Sequence, residues 1–207
     1  MIAVINIGVG NIRSIVLAIK RSCPDVSVEL AVSSKVLKKA SKIIFPGQGS
    51  MVGCLDRLVE LNLIDELKTC LKEKPFLGIC LGQQLLLDYS EEGPSEGLGV
   101  IKGSVRKFSK KNQLKIPHMG WNSVDVNAEH PVFNKTLNNN NDANYFYFVH
   151  SYYTQPSESS VVIAKTTYGN SFPSIIAKDN IIATQFHPEK SSQLGLKFLK
   201  NFIHWNP

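Results

Sequence analysis

From Met1 to Ser90 short unbroken apolar runs take turns with longer stretches whose apolar residues recur every three or four positions. The unbroken runs, Ile2–Ile5, Val26–Val32, Lys42-Ile43-Ile44-Phe45 and Phe76–Ile79, read as buried strands. The periodic stretches read as helices: about Asn11–Arg21, ended by Pro24; Val36–Ala40; and Ser50–Lys74 in two segments broken near Asn62. In that last pair, Leu55, Leu58, Val59 and Leu63 are expected to face the sheet. Such alternation implies a parallel sheet with helices on both faces. From Leu98 to Val126 the pattern shifts to short strands and polar turns, a mostly antiparallel excursion. Asn138–Asp142 reads as a polar, low-complexity surface loop. Strands at Tyr145–Val149, Val161–Lys165, Ser174–Lys178 and from Ile181 follow, and Leu194–Trp205 closes the chain as a helix with Leu194, Phe198, Leu199 and Phe202 inward. The fold class is α/β, a mixed and mostly parallel sheet with an antiparallel extension. One domain over residues 1–207 is expected, long enough to bury about 70% of the unfolded chain's surface.

Cys80 follows directly on the fourth apolar run, with Gly78 two residues before it and Gly82 two after. Small neighbours permit the sharp strand-to-helix turn that holds a nucleophile clear of the backbone. A helix carrying Leu81, Leu85 and Leu86 on one face would follow and aim its amides at the sulfur, which favours thiolate. By itself such a cysteine fits a buried structural thiol equally well. The strand from Ile181 ends in Gln185-Phe186-His187-Pro188-Glu189. Residues two apart in an extended chain point the same way, so Glu189 can hold the His187 imidazole. Cys80, His187 and Glu189 then form a nucleophile, a base and its orienter. Pro46-Gly47-Gln48-Gly49-Ser50 follows the third strand, and its backbone, with the Leu81 amide, can supply donors to an oxyanion. Alternation would also point Lys190 away from the triad, toward whatever covers the site.

Charge and cysteine usage remove several classes. The net charge of +6 comes mostly from lysine, clustered at Lys35–Lys42 and Lys102–Lys115. These clusters lack interleaved aromatics, so solvated surface is preferred over nucleic-acid binding. No apolar run approaches the length of a spanning helix, and the N-terminus has no leader-like pattern, so a cytoplasmic protein is expected. Cys23, Cys54, Cys70 and Cys80 form no C-x-x-C pair. His118 lacks ligand-type neighbours at metal spacing, so no metal is expected, and no cofactor. Gly8-Val9-Gly10 resembles the start of a dinucleotide loop, but Arg13 stands at the third glycine position.

Gly78-Ile79-Cys80-Leu81-Gly82-Gln83-Gln84 and Gln185-Phe186-His187-Pro188-Glu189 resemble the two signatures of the class I (triad) glutamine amidotransferases. Within that family the resemblance runs closest to glutaminase subunits of imidazole glycerol phosphate synthase. It covers essentially the whole chain and is marked by Pro117–Asn122, Tyr147–Tyr152 and Lys190-Ser191. It implies a three-layer, flavodoxin-like sandwich and hydrolysis of L-glutamine. The ammonia would pass to a (β/α)8-barrel cyclase subunit in a heterodimer. It further implies that Gln84, Glu92 and the backbone around Ser151 and Tyr152 hold substrate, Glu92 through the amino group. Asn11, Trp121, Tyr147 and Lys190 match positions facing the partner. From the residues alone, Gln84 reads as an exposed helix residue and Glu92 as a solvated loop charge. His150 is a tempting second base but has no carboxylate at strand spacing, and reads as structural. The family has valine where this chain has Gln48. The same glutaminase chemistry could serve a paralogous synthase that amidates a surface sugar, and a stand-alone cysteine amidohydrolase or peptidase is a further alternative.

Overall fold

A computed structural model describes residues 1–8, 10–109, 114–134 and 144–207. The Asn138–Asp142 loop, Val9, Lys110 and Lys111 lie outside the described residues.

The first half alternates as its patterning requires. Strand β1 (Ile2–Ile5) leads to helix α1 (Ile12–Ser22), β2 (Val28–Ala31), α2 (Ser34–Lys39), β3 (Lys42–Gly47), α3 (Met51–Glu60), α4 (Ile64–Glu73) and β4 (Phe76–Cys80). A single helical turn, α5 (Leu81–Gln84), precedes the short strands β5 (Tyr89–Ser90) and β6 (Ser95–Glu96). Then come β7 (Gly103–Lys107), β8 (His118–Ser123), β9 (Asp125–Val126), β10 (Tyr145–His150) and β11 (Tyr152–Pro156). The hairpin β12 (Val162–Tyr168) and β13 (Asn170–Lys178), then β14 (Ile181–Thr184) and α6 (Ser192–His204), complete the chain.

The main sheet runs β2-β1-β3-β4-β14-β13-β12-β9. β2, β1, β3, β4 and β14 are mutually parallel, and β13, β12 and β9 add antiparallel pairings. Strand residues alternate between two cores. Ile2, Val4, Ile44, Leu77 and Ile182 pack with Ile15 and Ile19 of α1 and Phe198, Leu199 and Phe202 of α6. Ala3, Ile5, Ile43, Phe45 and Phe76 pack with Leu37, Leu58, Leu67 and Leu71 of α2 to α4 on the other face. Burial on both faces is why these strands are continuously apolar. The result is a three-layer α/β sandwich, extended by the antiparallel pair β8–β10 and the four-stranded sheet β11-β7-β5-β6.

Two sequence expectations need correction. Leu58 is buried as expected, but Val59 is 62% exposed; Met51 and Cys54 turn inward with Leu58, because the inward stripe of α3 starts at Met51 and runs at spacings of three and four. Asn62 does break the helical stretch, at φ +52°. The helix after Cys80 is also far shorter than expected, since α5 gives way to turns at Leu85–Leu87, whose side chains are buried.

Candidate active site

The register of β4 explains where the site is. Cys80 pairs with Gly47 at the end of β3, and Ile79 pairs with Thr184 at the end of β14. The next residues out, Gln48-Gly49 on one side and Gln185 on the other, therefore flank Cys80 at the carboxyl ends of parallel strands, where open α/β sheets bind ligands. Cys80 adopts φ +53°, ψ −103°, a strained conformation for a residue with a β-carbon. Its glycine neighbours make the turn possible. A Cβ on Gly78 would lie 2.5 Å from the Gly82 carbonyl oxygen, and a Cβ on Gly82 would collide with the Phe45 carbonyl oxygen. A Cβ on Gly47 would come within 2.6 Å of the Leu81 side chain. With only one turn in α5, its amides beside the sulfur act as local donors and not as the end of a long dipole.

His187 and Glu189 meet, by a route other than strand alternation. β14 ends at Thr184, and Pro188–Lys190 forms one 3-10 turn that brings the carboxylate back to the edge of the ring at Nδ1. His187 Nδ1 and Glu189 Oε1 are 2.8 Å apart, with both side chains almost fully buried. The segment is pinned by His187 N donating to the Tyr147 carbonyl at 2.9 Å and by the Ser191 hydroxyl donating to the His187 carbonyl at 2.6 Å. Burial pulls the imidazolium down. The Cys80 sulfur and the Glu189 carboxylate outweigh that pull and raise the imidazole from 6.5 to about 10. Among the described residues His187 Nε2 closes no fully aligned hydrogen bond, yet the sulfur is near enough to set its proton affinity. Such bonds often tighten only with substrate present.

Cys80 opens into a cleft of about 490 Å³. Gln48, Gly49, Leu81, Gln84, Glu92, Ser151 and Tyr152 all line it. Gly47 stays within β3 beside Cys80. Gln84 is buried, not exposed; its Nε2 donates to the Tyr152 carbonyl at 3.0 Å. One Glu92 oxygen accepts from the Met51 amide at 3.0 Å, so the carboxylate sits at the start of α3 rather than free in solvent. Tyr147 and Lys190 line the same cleft, with the Lys190 ammonium 5.8 Å from the Tyr147 ring centroid. Lys190 thus turns toward the site, because the 3-10 turn replaces the extended chain that would have aimed it away. Trp121, 54% exposed, packs edge-on to Tyr147 at 6.3 Å. Asn11 caps α1 by accepting from the Ser14 amide, and the adjoining Gly10 backbone packs on the Gln48 loop. Two hollows of about 630 and 530 Å³ at the other end of the sheet, around Lys42 and Lys178, have neither cysteine nor histidine in their lining.

A model of the glutamine amidotransferase class-I family matches residues 4–205. The chain belongs to this family. It is 43% identical over its whole length, and over 99% of the other protein, to imidazole glycerol phosphate synthase subunit HisH of Aromatoleum aromaticum. The subunit of the same name from Nitrosococcus oceani is 44% identical, over 99% of this chain and 97% of that one. Among solved structures, a glutamine amidotransferase superimposes with TM-score 0.70 at 20% identity, covering 97% of this chain and 98% of that chain. The glutaminase domain of Trypanosoma brucei CTPS with bound acivicin gives 0.66 at 15%, covering 100% and 94%. These two likenesses speak for the amidotransferase fold. No described helix is long and apolar enough to cross a membrane.

Several site features escaped the sequence reading. The Gln185 amide nitrogen lies 3.5 Å from the Cys80 sulfur, and the Val149 carbonyl is 4.0 Å from it. His150, held as structural, is one end of a buried histidine pair: its Nε2 is 2.9 Å from His118 Nδ1, and its Nδ1 is 2.8 Å from the Tyr152 carbonyl. A carbonyl only accepts, so His150 carries its proton on Nδ1 and takes one from His118 Nδ1. His118 Nε2 is left to accept from the Asn122 amide at 3.2 Å. Burial lowers His118 to about 4 and His150 to about 3, so both rings are neutral, with His118 stacked between Phe148 and Tyr168. What would have placed Gln185 beside Cys80 is the pairing of Ile79 in β4 with Thr184 in β14, which is invisible before the sheet order is known.

Proposed function

We propose that this chain is the glutaminase subunit of an imidazole glycerol phosphate synthase, acting as one unit over residues 1–207. The observation that carries the chemistry is the buried Glu189–His187 pair facing a strained cysteine in an open cleft. The full-length likeness to HisH subunits supports the pathway.

L-glutamine lies in the cleft with its amino group toward Glu92 and its carboxamide beside Cys80. The thiolate adds to the carboxamide carbon, and the resulting oxyanion is held by backbone donors of the Gly47-Gln48-Gly49 segment and Leu81. The carbon–nitrogen bond breaks as the His187 imidazolium gives its proton to the departing nitrogen, releasing ammonia and leaving a thioester. Neutral His187 then takes a proton from water, hydroxide adds to the thioester, and the carbon–sulfur bond breaks to give glutamate and the thiolate. Glu189 holds the ring and offsets its charge throughout. Ammonia passes to a (β/α)8-barrel cyclase subunit, which docks over Asn11, Trp121, Tyr147 and Lys190. That placement is favoured by the exposed Trp121 beside the mouth of the cleft.

The test is glutamine hydrolysis by the chain with and without its barrel partner. Wild type should hydrolyse glutamine faster in the complex with acceptor than alone. Cys80→Ser should abolish glutamine-dependent turnover while the complex still uses added ammonia. Glutaminase activity surviving Cys80→Ser would overturn the assignment.

A further inference from the structure

We infer that Gln185 is an additional catalytic residue of this site, a hydrogen-bond donor to the Cys80 sulfur whose orientation is enforced by Gln84. The inference rests on the reading of Cys80 as nucleophile. Gln185 is fully buried; its Nε2 lies 3.5 Å from Cys80 Sγ, and its Oε1 lies 3.2 Å from Gln84 Nε2.

The direction of these bonds follows from one group that cannot donate, the Tyr152 carbonyl. It accepts from His150 Nδ1 at 2.8 Å and from Gln84 at 3.0 Å, so Gln84 must turn its NH2 toward it. That NH2 also faces the Gln185 side chain, which must therefore present its oxygen to Gln84 and its own NH2 to the sulfur. Turning the Gln185 amide over would set NH2 against NH2 and a carbonyl oxygen against sulfur, two repulsive contacts among buried side chains. The carbonyl at the root of this logic is held by the neutral His118–His150 pair, itself fed by Asn122. β14 supplies the rest: its register with β4 fixes Gln185 beside Cys80, and Gln185 N donates to the Ser174 carbonyl at 2.9 Å.

A buried N–H aimed at sulfur favours thiolate over thiol and holds Sγ in one position for attack. It does so again when the thioester breaks and sulfur regains its charge. Gln84, which touches Gln185 and not the sulfur, is the positioning residue. Sequence likeness assigns Gln84 to substrate; the geometry gives it this second role.

The experiment uses the full chain, alone for alkylation and with the barrel partner for turnover. Gln185→Met removes the donor at similar volume, and Gln185→Glu places a carboxylate oxygen against the sulfur. Cys80→Ser gives the background for alkylation by iodoacetamide at pH 7, and the ammonia-dependent rate of each complex reports an intact assembly. Gln185→Met should slow Cys80 alkylation and lower kcat for glutamine by about 10-fold or more, the scale of a hydrogen bond to a charged group, with KM within about threefold. Gln185→Glu should be slower still, by at least about 100-fold. Gln84→Met, which frees the Gln185 amide to turn over, should slow alkylation several-fold by a reagent that makes no use of the glutamine pocket; it carries the test if either Gln185 variant fails to fold. Alkylation at the wild-type rate in Gln185→Met, or faster in Gln185→Glu than in Gln185→Met, overturns the inference. Undiminished alkylation or glutaminase activity in Cys80→Ser would instead overturn the nucleophile reading beneath it.

Discussion

The backbone at Cys80 stores strain, and its size can be read from two substitutions. At φ +53°, ψ −103° a β-carbon is crowded by its own backbone, and holding a non-glycine residue in such a region costs about 1–3 kcal/mol. Cys80→Ala removes the nucleophile and keeps the strain, whereas Cys80→Gly removes both. At an ordinary buried strand position glycine is worse than alanine by about 0.5–1 kcal/mol in chain entropy. The lost methyl adds about 0.8 kcal/mol, so glycine there trails by about 1.5 kcal/mol. Ala183 in β14, fully buried and absent from the positive-φ residues, provides that reference as Ala183→Gly. At position 80 relief of about 2 kcal/mol should cancel the deficit, leaving Cys80→Gly equal to or about 0.5 kcal/mol above Cys80→Ala. The two Ala-to-Gly comparisons should thus differ by about 2 kcal/mol, or about 4–8 °C in Tm for a chain of this size. Urea denaturation with unchanged slope would measure it. Neither Cys80 variant should hydrolyse glutamine. If Cys80→Gly trails Cys80→Ala by the margin seen at Ala183, position 80 is unstrained and the elbow argument is wrong.

Glu189→Gln should fold and bind its partner but lose kcat, because the amide cannot offset the imidazolium and can turn its NH2 toward Nδ1. About 3 kcal/mol, or roughly 100-fold, is expected in glutamine-dependent turnover with the ammonia-dependent rate preserved; a kcat within twofold of wild type would show that His187 works without it. Acid should destabilise the fold through His118 and His150. Their imidazoles are lowered to about 4 and about 3, so the unfolded chain takes up protons first. The stability they carry is full above about 6.5 and is lost as the pH falls toward 4. On the order of 2–3 kcal/mol should go between pH 7 and 5. His187 is raised instead, so its contribution persists on that side and is lost only as the pH climbs toward about 10. Urea midpoints at the two pH values would measure the loss, which should shrink in a His118→Gln, His150→Gln double variant; equal midpoints in wild type would refute it.

The parallel half of the fold was legible because burial on both faces leaves a local mark. Ile2–Ile5, Ile43–Phe45 and Phe76–Ile79 are apolar at every position because each is covered by helices on both faces of the sheet. The elbow was legible for a related reason: Gly78 and Gly82 are demanded by contacts within a few residues of Cys80 and with the adjoining strand. Val59 was misplaced because the stripe on α3 is set by Met51 and Cys54, whose inward position depends on where the helix begins. The hydrophobic period alone leaves that phase free.

The surroundings of the sulfur were harder to read because they are made by segments far apart in the chain. Gln185 reaches Cys80 across 105 residues, and Gln84 reaches Tyr152 across 68. Gln185 looked like part of a strand leading to His187, and only the pairing of β14 beside β4 shows that strand ends together with the nucleophile's. His118 and His150 each lacked a local carboxylate and so offered no chemistry alone; paired across β8 and β10, they become one neutral unit with a fixed proton order. Histidines are read as acids, bases or ligands, yet here burial makes the pair valuable by keeping it from titrating. Because both rings stay neutral, the Tyr152 carbonyl keeps the same donors over the working pH range, and the amides that depend on it keep their orientation toward the sulfur.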